Sequence, residues 1–178
     1  MMKRNNWPIW ANETVEIMPF DSKWFDTGLE LMDELGMLRT ICSTIQMEHI
    51  GSTSVTGLLA KPIIDIMAMV DTFDNLELMV SLLLEKEWHF VPVELDQRPY
   101  RRFFVKVKDH KRIAHLHLML PNTKKWDEQL LFRNKLRESE YLVNEYASLK
   151  LSLATTYKND REAYTKAKTK FINEVLSS

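Results

Sequence analysis

The chain has a single cysteine, Cys42, only four glycines in 178 residues, and almost no surplus charge of either sign. Each scarcity excludes something. One cysteine permits no internal disulfide, so a disulfide-stapled secreted scaffold is ruled out and a reducing compartment is expected. A formal charge of −1 argues against broad nucleic-acid binding, which needs a clear basic excess, but leaves room for a small anion in a local basic pocket. No apolar run approaches the roughly 20 residues of a membrane span; the longest, Ile63 to Val70, is strand-sized. The start, Met1-Met2-Lys3-Arg4-Asn5-Asn6, lacks the continuous apolar stretch of a secretion signal. A cytoplasmic protein with no membrane partner is expected.

What is present is ordinary globular material. Apolar content of 45% and charged content of 28% are near the averages for folded domains. No repeat, linker or low-complexity tract divides the chain. One domain over residues 1–178 is expected, with residues 1–12 as a loose N-terminal segment.

Periodicity supplies the elements. Val15 to Met18 reads as a short strand stopped by Pro19. Asp21 or Ser22 caps a helix to about Met37, with Phe25, Leu29, Met32 and Leu35 as its apolar face. Strands follow at Ile45–Ile50 and Ile63–Val70, the second nearly all apolar, as expected of a central strand buried on both faces. Asp74 starts a helix to about Lys86, and Trp88–Val93 is a further strand. Arg102–Lys108 and Ile113–Leu120 form a hairpin about the polar turn Asp109-His110-Lys111. The last third is helical: Trp126–Arg137, Glu140 to about Thr155, and Arg161–Leu176 capped by Asp160. Strands first and helices last predict an α+β fold with a mixed β-sheet, flanking helices and a C-terminal helical bundle.

The chemistry is concentrated between His49 and Ile66, where a strand runs into Gly51-Ser52, then a hydroxyl-rich turn, then a strand carrying Asp65. Backbone amides in such a turn can converge on a phosphate, and Gly51 permits close approach. Ser52 and Ser54 add hydroxyls and Lys61 a positive charge. Asp65 is placed to hold a divalent metal bridging phosphates, as phosphoryl transfer requires.

This segment resembles the signature of the nucleotidyltransferase superfamily: an apolar residue, Gly, then Gly or Ser, about ten residues, then Asp-apolar-acid. The wider pattern resembles the GrpB family, through Glu48–Ile66, Arg101-Arg102-Phe103-Phe104, His115-Leu116-His117, Leu131-Phe132-Arg133, Glu145–Lys150 and Asp160–Tyr164. The likeness extends from about Val15 to Leu176. It implies a nucleotidyltransferase-like fold and binding of a phosphorylated small molecule or nucleotide, with metal-dependent phosphoryl or nucleotidyl transfer as the fuller activity. That family also occurs fused behind some dephospho-CoA kinases, so a non-catalytic module binding a nucleotide or coenzyme A precursor is the alternative. One departure stands out: the second acid, two residues after Asp65, is replaced by Met67, which cannot ligate a hard cation.

His115 and His117 lie two apart on one strand and so share a face. With Asp65 they make a candidate catalytic and metal-ligating set, for magnesium or manganese, or zinc if the imidazoles ligate. Acid–base work on a bound substrate and hydrogen bonding within the sheet are the alternatives. His49 is a candidate for orienting the loop. Arg101 and Arg102 alternate to opposite faces; Arg102, in phase with Phe104, is the candidate phosphate clamp, against an ion pair with Glu94 or Asp96. The resemblance adds Arg133 and Lys150 as substrate contacts.

Overall fold

The computed structural model describes residues 14–178; the expected loose segment 1–12 lies outside them. The frame is a five-stranded sheet in the order β1-β2-β5-β4-β3, from β1 (Ile45–Ile50), β2 (Ile64–Val70), β3 (Trp88–Val91), β4 (Arg101–Lys108) and β5 (Lys111–Met119). The β2–β5 pair is parallel and the other pairs are antiparallel. The β4–β5 hairpin turns on two residues, Asp109 (φ 50°) and His110 (φ 61°), the paired left-handed conformations whose twist matches that of flanking strands. A bulge between Lys106 and Val107 shifts the register of that hairpin by one residue.

Strand alternation divides the sheet into two faces. Ile64, Ile66, Ala68, Phe104, Leu116 and Leu118 point to one, where α1 (Lys23–Leu35) and α2 (Leu76–Leu84) cover the largest core cluster. Trp88 closes that core, fully buried, with its Nε1 donating to Glu34 Oε1 at 2.8 Å. Asp65, Met67, His115 and His117 share the opposite face.

The buried stripe of α1 is Trp24, Gly28, Leu31 and Leu35, one step round from the expected face, and Leu29 is 63% exposed. The reason is Gly28: a Cβ there would stand 2.6 Å from His49 Nδ1, so the helix rests its bare backbone on that ring. The expected first strand, Val15–Met18, is reduced to one bridge between Met18 and Ala60, since Pro19 ends the pairing at once. A short α3 (Val93–Asp96) follows Pro92 where the third strand was expected to continue.

The C-terminal bundle comprises α4 (Lys124–Glu138), α5 (Glu140–Thr156), α6 (Arg161–Ala167) and α7 (Thr169–Ser177). The expected last helix is thus two, divided at Lys168. Phe132, Leu136, Tyr146 and Val175 form its core and also hold Val55 and Leu58 of the β1–β2 connection. Among the described residues no helix is long and apolar enough to cross a membrane.

Candidate functional site

Asp65, His115 and His117 converge as their parity predicts. Asp65 pairs in register with His115 across the parallel β2–β5 seam, and Met67 with His117. One donor atom from each of Asp65, His115 and His117 lies within 4.8 Å of the others. His115 Nδ1 donates to Asp65 Oδ1 at 2.8 Å. His117 Nε2 approaches the same oxygen at 3.5 Å, without the alignment of a hydrogen bond.

The turn after β1 abuts this acid. Gly51 has φ 72° and ψ −173°, a region essentially reserved for glycine. A Cβ there would meet Asp65 Oδ2 at 2.6 Å. The missing side chain thus serves two ends, the backbone conformation and the closeness of the loop to the carboxylate. Ser52 is partly buried and opens a short 3-10 turn through Ser54.

Two clamps hold that turn from behind. Arg137 donates from Nε (3.0 Å) and Nη2 (2.8 Å) to the Ser54 carbonyl. Arg133 donates to Glu48 Oε2 at 2.7 Å and to the His49 carbonyl at 3.0 Å. His49 Nε2 meets Thr53 Oγ1 at 3.0 Å.

Three candidate residues therefore stand away from the ligand side. Ser54 is fully buried and donates its hydroxyl to the Gly51 carbonyl at 2.7 Å. His49 lies on the helix-covered face and supports the loop. Arg102 is on that face too, stacked over the Phe73 ring at 4.5 Å. Its neighbour Arg101 enters the site instead. The Arg101 guanidinium grips Asp96 through Nε (2.8 Å) and Nη2, lies 4.0 Å from the Phe103 ring centre, and donates to His117 Nδ1. Arg133 and Lys150 are likewise structural: Lys150 is buried and donates to the Leu59 carbonyl. Lys61 remains at the site's edge, its Nζ 5.0 Å from the Tyr164 ring centre.

The result is a polar chain, Asp96–Arg101–His117–Asp65–His115, and it makes the two imidazoles unequal. His117 accepts at Nδ1, so its proton sits on Nε2, facing Asp65. His115 gives its Nδ1 proton to Asp65, which leaves a bare lone pair on Nε2. Burial lowers the His115 pKa to about 4 against the pull of Asp65. For Asp65, burial works upward, but the hydrogen bond from His115 and the close approach of His117 outweigh it and hold the carboxyl well below its usual range. At neutral pH the set is one carboxylate and two neutral imidazoles.

Met67, on the same face, is fully buried with Ile50, Met119 and Trp126. The position of the second acid is thus an apolar plug capped by α4. A two-magnesium centre, which needs oxygen ligands from two carboxylates, does not fit. The carboxylate and two imidazole nitrogens suit a single softer divalent ion. Arg101 would then have to release Nδ1 of His117, since an imidazole that ligates through Nε2 keeps its proton on Nδ1. A groove of about 580 Å³ lies elsewhere, lined by Phe25, Thr56, Gly57, Arg137, Glu140 and Asn144 behind the loop.

A mixed sheet with a glycine-serine turn against an acid on the next strand defines a nucleotidyltransferase-like fold. A Cid1 poly(U) polymerase bound to MgATP superposes on it with a TM-score of 0.51 at 15% identity, over 84% of this chain and 50% of that one. At that identity the likeness is one of fold. The chain itself belongs to the GrpB family, whose profile, described as GrpB protein, matches residues 14–178. It is 30% identical to the glutamate-rich protein GrpB of Alkalihalophilus pseudofirmus, covering 81% of this chain and 85% of the relative. It is 33% identical to a UPF0157 protein of Pseudomonas aeruginosa, covering 94% and 69%. The crystal structure of conserved protein GrpB from Enterococcus faecalis matches with a TM-score of 0.79 at 28% identity, over 91% of this chain and 95% of that one.

Proposed function

We propose that the protein binds a nucleotide or another phosphorylated small molecule on the open face of the sheet, between the Gly51-Ser52 turn and the Asp65–His115–His117 set. The observation that carries this reading is the packing of Gly51 against Asp65, where no Cβ can be accommodated. The connection is anchored in the core by Val55 and Leu58, while Gly51 lets its first turn press against the acid. It brings backbone amides and the Ser52 hydroxyl, which has no hydrogen-bond partner among the described residues, to the edge of the donor set.

Asp65, His115 and His117 would hold one divalent ion, manganese or zinc before magnesium, and a bound ion would supply positive charge against a phosphate. In the metal-free site the chain's own groups take different roles. The bare Nε2 of His115, oriented by Asp65 through Nδ1, is then the group able to take a proton from an acceptor hydroxyl. The Nε2–H of His117, fixed by Arg101, is then a donor; a bound ion would occupy both imidazoles and replace these roles. The buried Met67 plug supports a second reading, a non-catalytic module that keeps the fold and the anion turn and binds a nucleotide or coenzyme A precursor without turnover.

Thermal melts with ATP, UTP and coenzyme A precursors, each with magnesium, manganese, zinc or chelator, test the reading. A ligand at a hundredfold excess over its Kd adds about 2.7 kcal/mol, which raises Tm by roughly 5–10 °C for a chain of this size. Asp65→Ala is expected to abolish the manganese- or zinc-dependent part. If Asp65→Ala binds as well as the parent in the presence of metal, the site is not at Asp65. Turnover that disappears in the same variant would overturn the non-catalytic reading.

A further inference from the structure

The C-terminal helices bring a second set of groups to this site. Tyr164, 1% exposed on α6, has two ammonium groups over its ring. Lys61 Nζ is 5.0 Å from its ring centre and Lys168 Nζ 4.7 Å. Neither ammonium group makes a hydrogen bond or ion pair among the described residues. The ring face attracts each cation, but two like charges drawn to one buried ring repel each other. A fold that needed them only for stability would place a carboxylate between them, because burying unpaired charge is costly. The acid whose field reaches both lysines is Asp65, and Asp65 is already engaged by His115. Arg161 adds positive field at both lysines, and Arg112 at Lys61. On a chain of net charge −1, the two ammonium groups of Lys61 and Lys168 thus gather at one buried ring.

Resting on the reading that a phosphorylated ligand binds at Asp65, we propose that Lys61 and Lys168, spaced by Tyr164, form a subsite for the far end of a diphosphate or longer phosphate chain. The ligand class is then a nucleoside di- or triphosphate, or another pyrophosphate ester, and not a monophosphate. The lysines are far apart in sequence, one from the connection before β2 and one between α6 and α7. Lys168 keeps helical backbone angles (φ −76°, ψ −15°), so it lies one turn after Tyr164 with its ammonium over that ring. Burial, with help from neighbouring cations, lowers the Lys168 pKa to about 8 and holds that of Lys61 well below its usual range. A multiply charged anion would restore both to the fully charged form.

Titration calorimetry in chelator, with phosphate, pyrophosphate, tripolyphosphate, AMP and ATP, separates the lysines' contribution from any metal at Asp65. The parent is expected to bind more tightly with each added phosphate. Lys168→Met and Lys61→Met should weaken pyrophosphate and ATP by about tenfold more than AMP, one lost charge-assisted contact each. Lys168→Arg keeps the charge and should retain most of the preference. Asp65→Ala should tighten pyrophosphate binding in chelator, because a facing negative charge is removed, while weakening the manganese-dependent binding of ATP. Equal affinity of the parent for AMP and ATP, or equal losses for both in Lys168→Met, would overturn the subsite and leave the Asp65 site standing. Failure of every probe to bind in chelator would overturn the subsite, and absence of manganese-dependent ATP binding would separately overturn the Asp65 site.

Discussion

Gly51→Ala is the sharpest test of the loop. The substitution asks an alanine to hold φ 72° and ψ −173°, which costs about 1–3 kcal/mol in backbone strain. It also sets a methyl group 2.6 Å from Asp65 Oδ2 and 3.1 Å from Asp65 Cβ. Relieving that contact costs a further 1–3 kcal/mol or so, as overpacking does. The sum is about 2–6 kcal/mol, read as a drop in the urea midpoint with an unchanged slope. A double-mutant cycle with Asp65→Ala separates the parts. Removing the carboxylate relieves the closer contact but not the strain, so the cycle should show a coupling of about 1–2 kcal/mol. A loss below 1 kcal/mol in Gly51→Ala would refute the conformation assigned to the turn. Strict additivity would refute its contact with Asp65.

Met67→Asp restores the missing second acid but buries it among Ile50, Met119 and Trp126. It should cost at least about 3 kcal/mol in urea and create no magnesium site; a variant of parental stability that binds magnesium would contradict the apolar plug. Burial lowers the pKa of His49 to about 4, from 6.5 when exposed. The unfolded chain therefore takes up a proton that the folded one refuses between those values, and stability falls as pH drops through that window. The loss attributable to His49 is about 2 kcal/mol between pH 7 and pH 5, and denaturation across pH should lose that share of its slope in His49→Gln. His110 holds φ 61° in the hairpin turn, so His110→Gly should stabilise by about 0.5–1 kcal/mol, measured by thermal melting.

The convergence of Asp65, His115 and His117 was legible because strand periodicity is strict: three residues on adjacent strands meet or miss according to parity alone. Arginine choice was not legible. Counting back from the two-residue turn pairs His117 with Arg102; the bulge at Lys106/Val107 shifts the pairing by one, so that His117 faces Phe103 and Arg101 joins its face. A one-residue register slip exchanges every side chain between faces, and nothing in the local composition announces the bulge. The stripe of α1 was misplaced for a related reason, since counting apolar residues is blind to Gly28, whose contribution is the absence of a side chain. Lys168 and Tyr164 were visible only as a helical i, i+4 pair, the usual mark of a solvated face. Their approach to Lys61 depends on tertiary packing between segments about a hundred residues apart in sequence.

Asp65 and the two histidines sit on β2 and β5, each bonded to a strand on both sides, while the sheet's edges are β1 and β3. Backbone amides in such a position exchange with deuterium last, because freeing them requires opening the whole sheet. The strands that carry the donor set are therefore expected to be among the last of the described elements to open. Whatever adapts to a ligand of a given length must lie in the surrounding pieces, the β1–β2 turn and the C-terminal helices, which meet the set from outside. A deuterium-exchange map taken with and without ligand should change at those pieces and leave the strands beneath them silent.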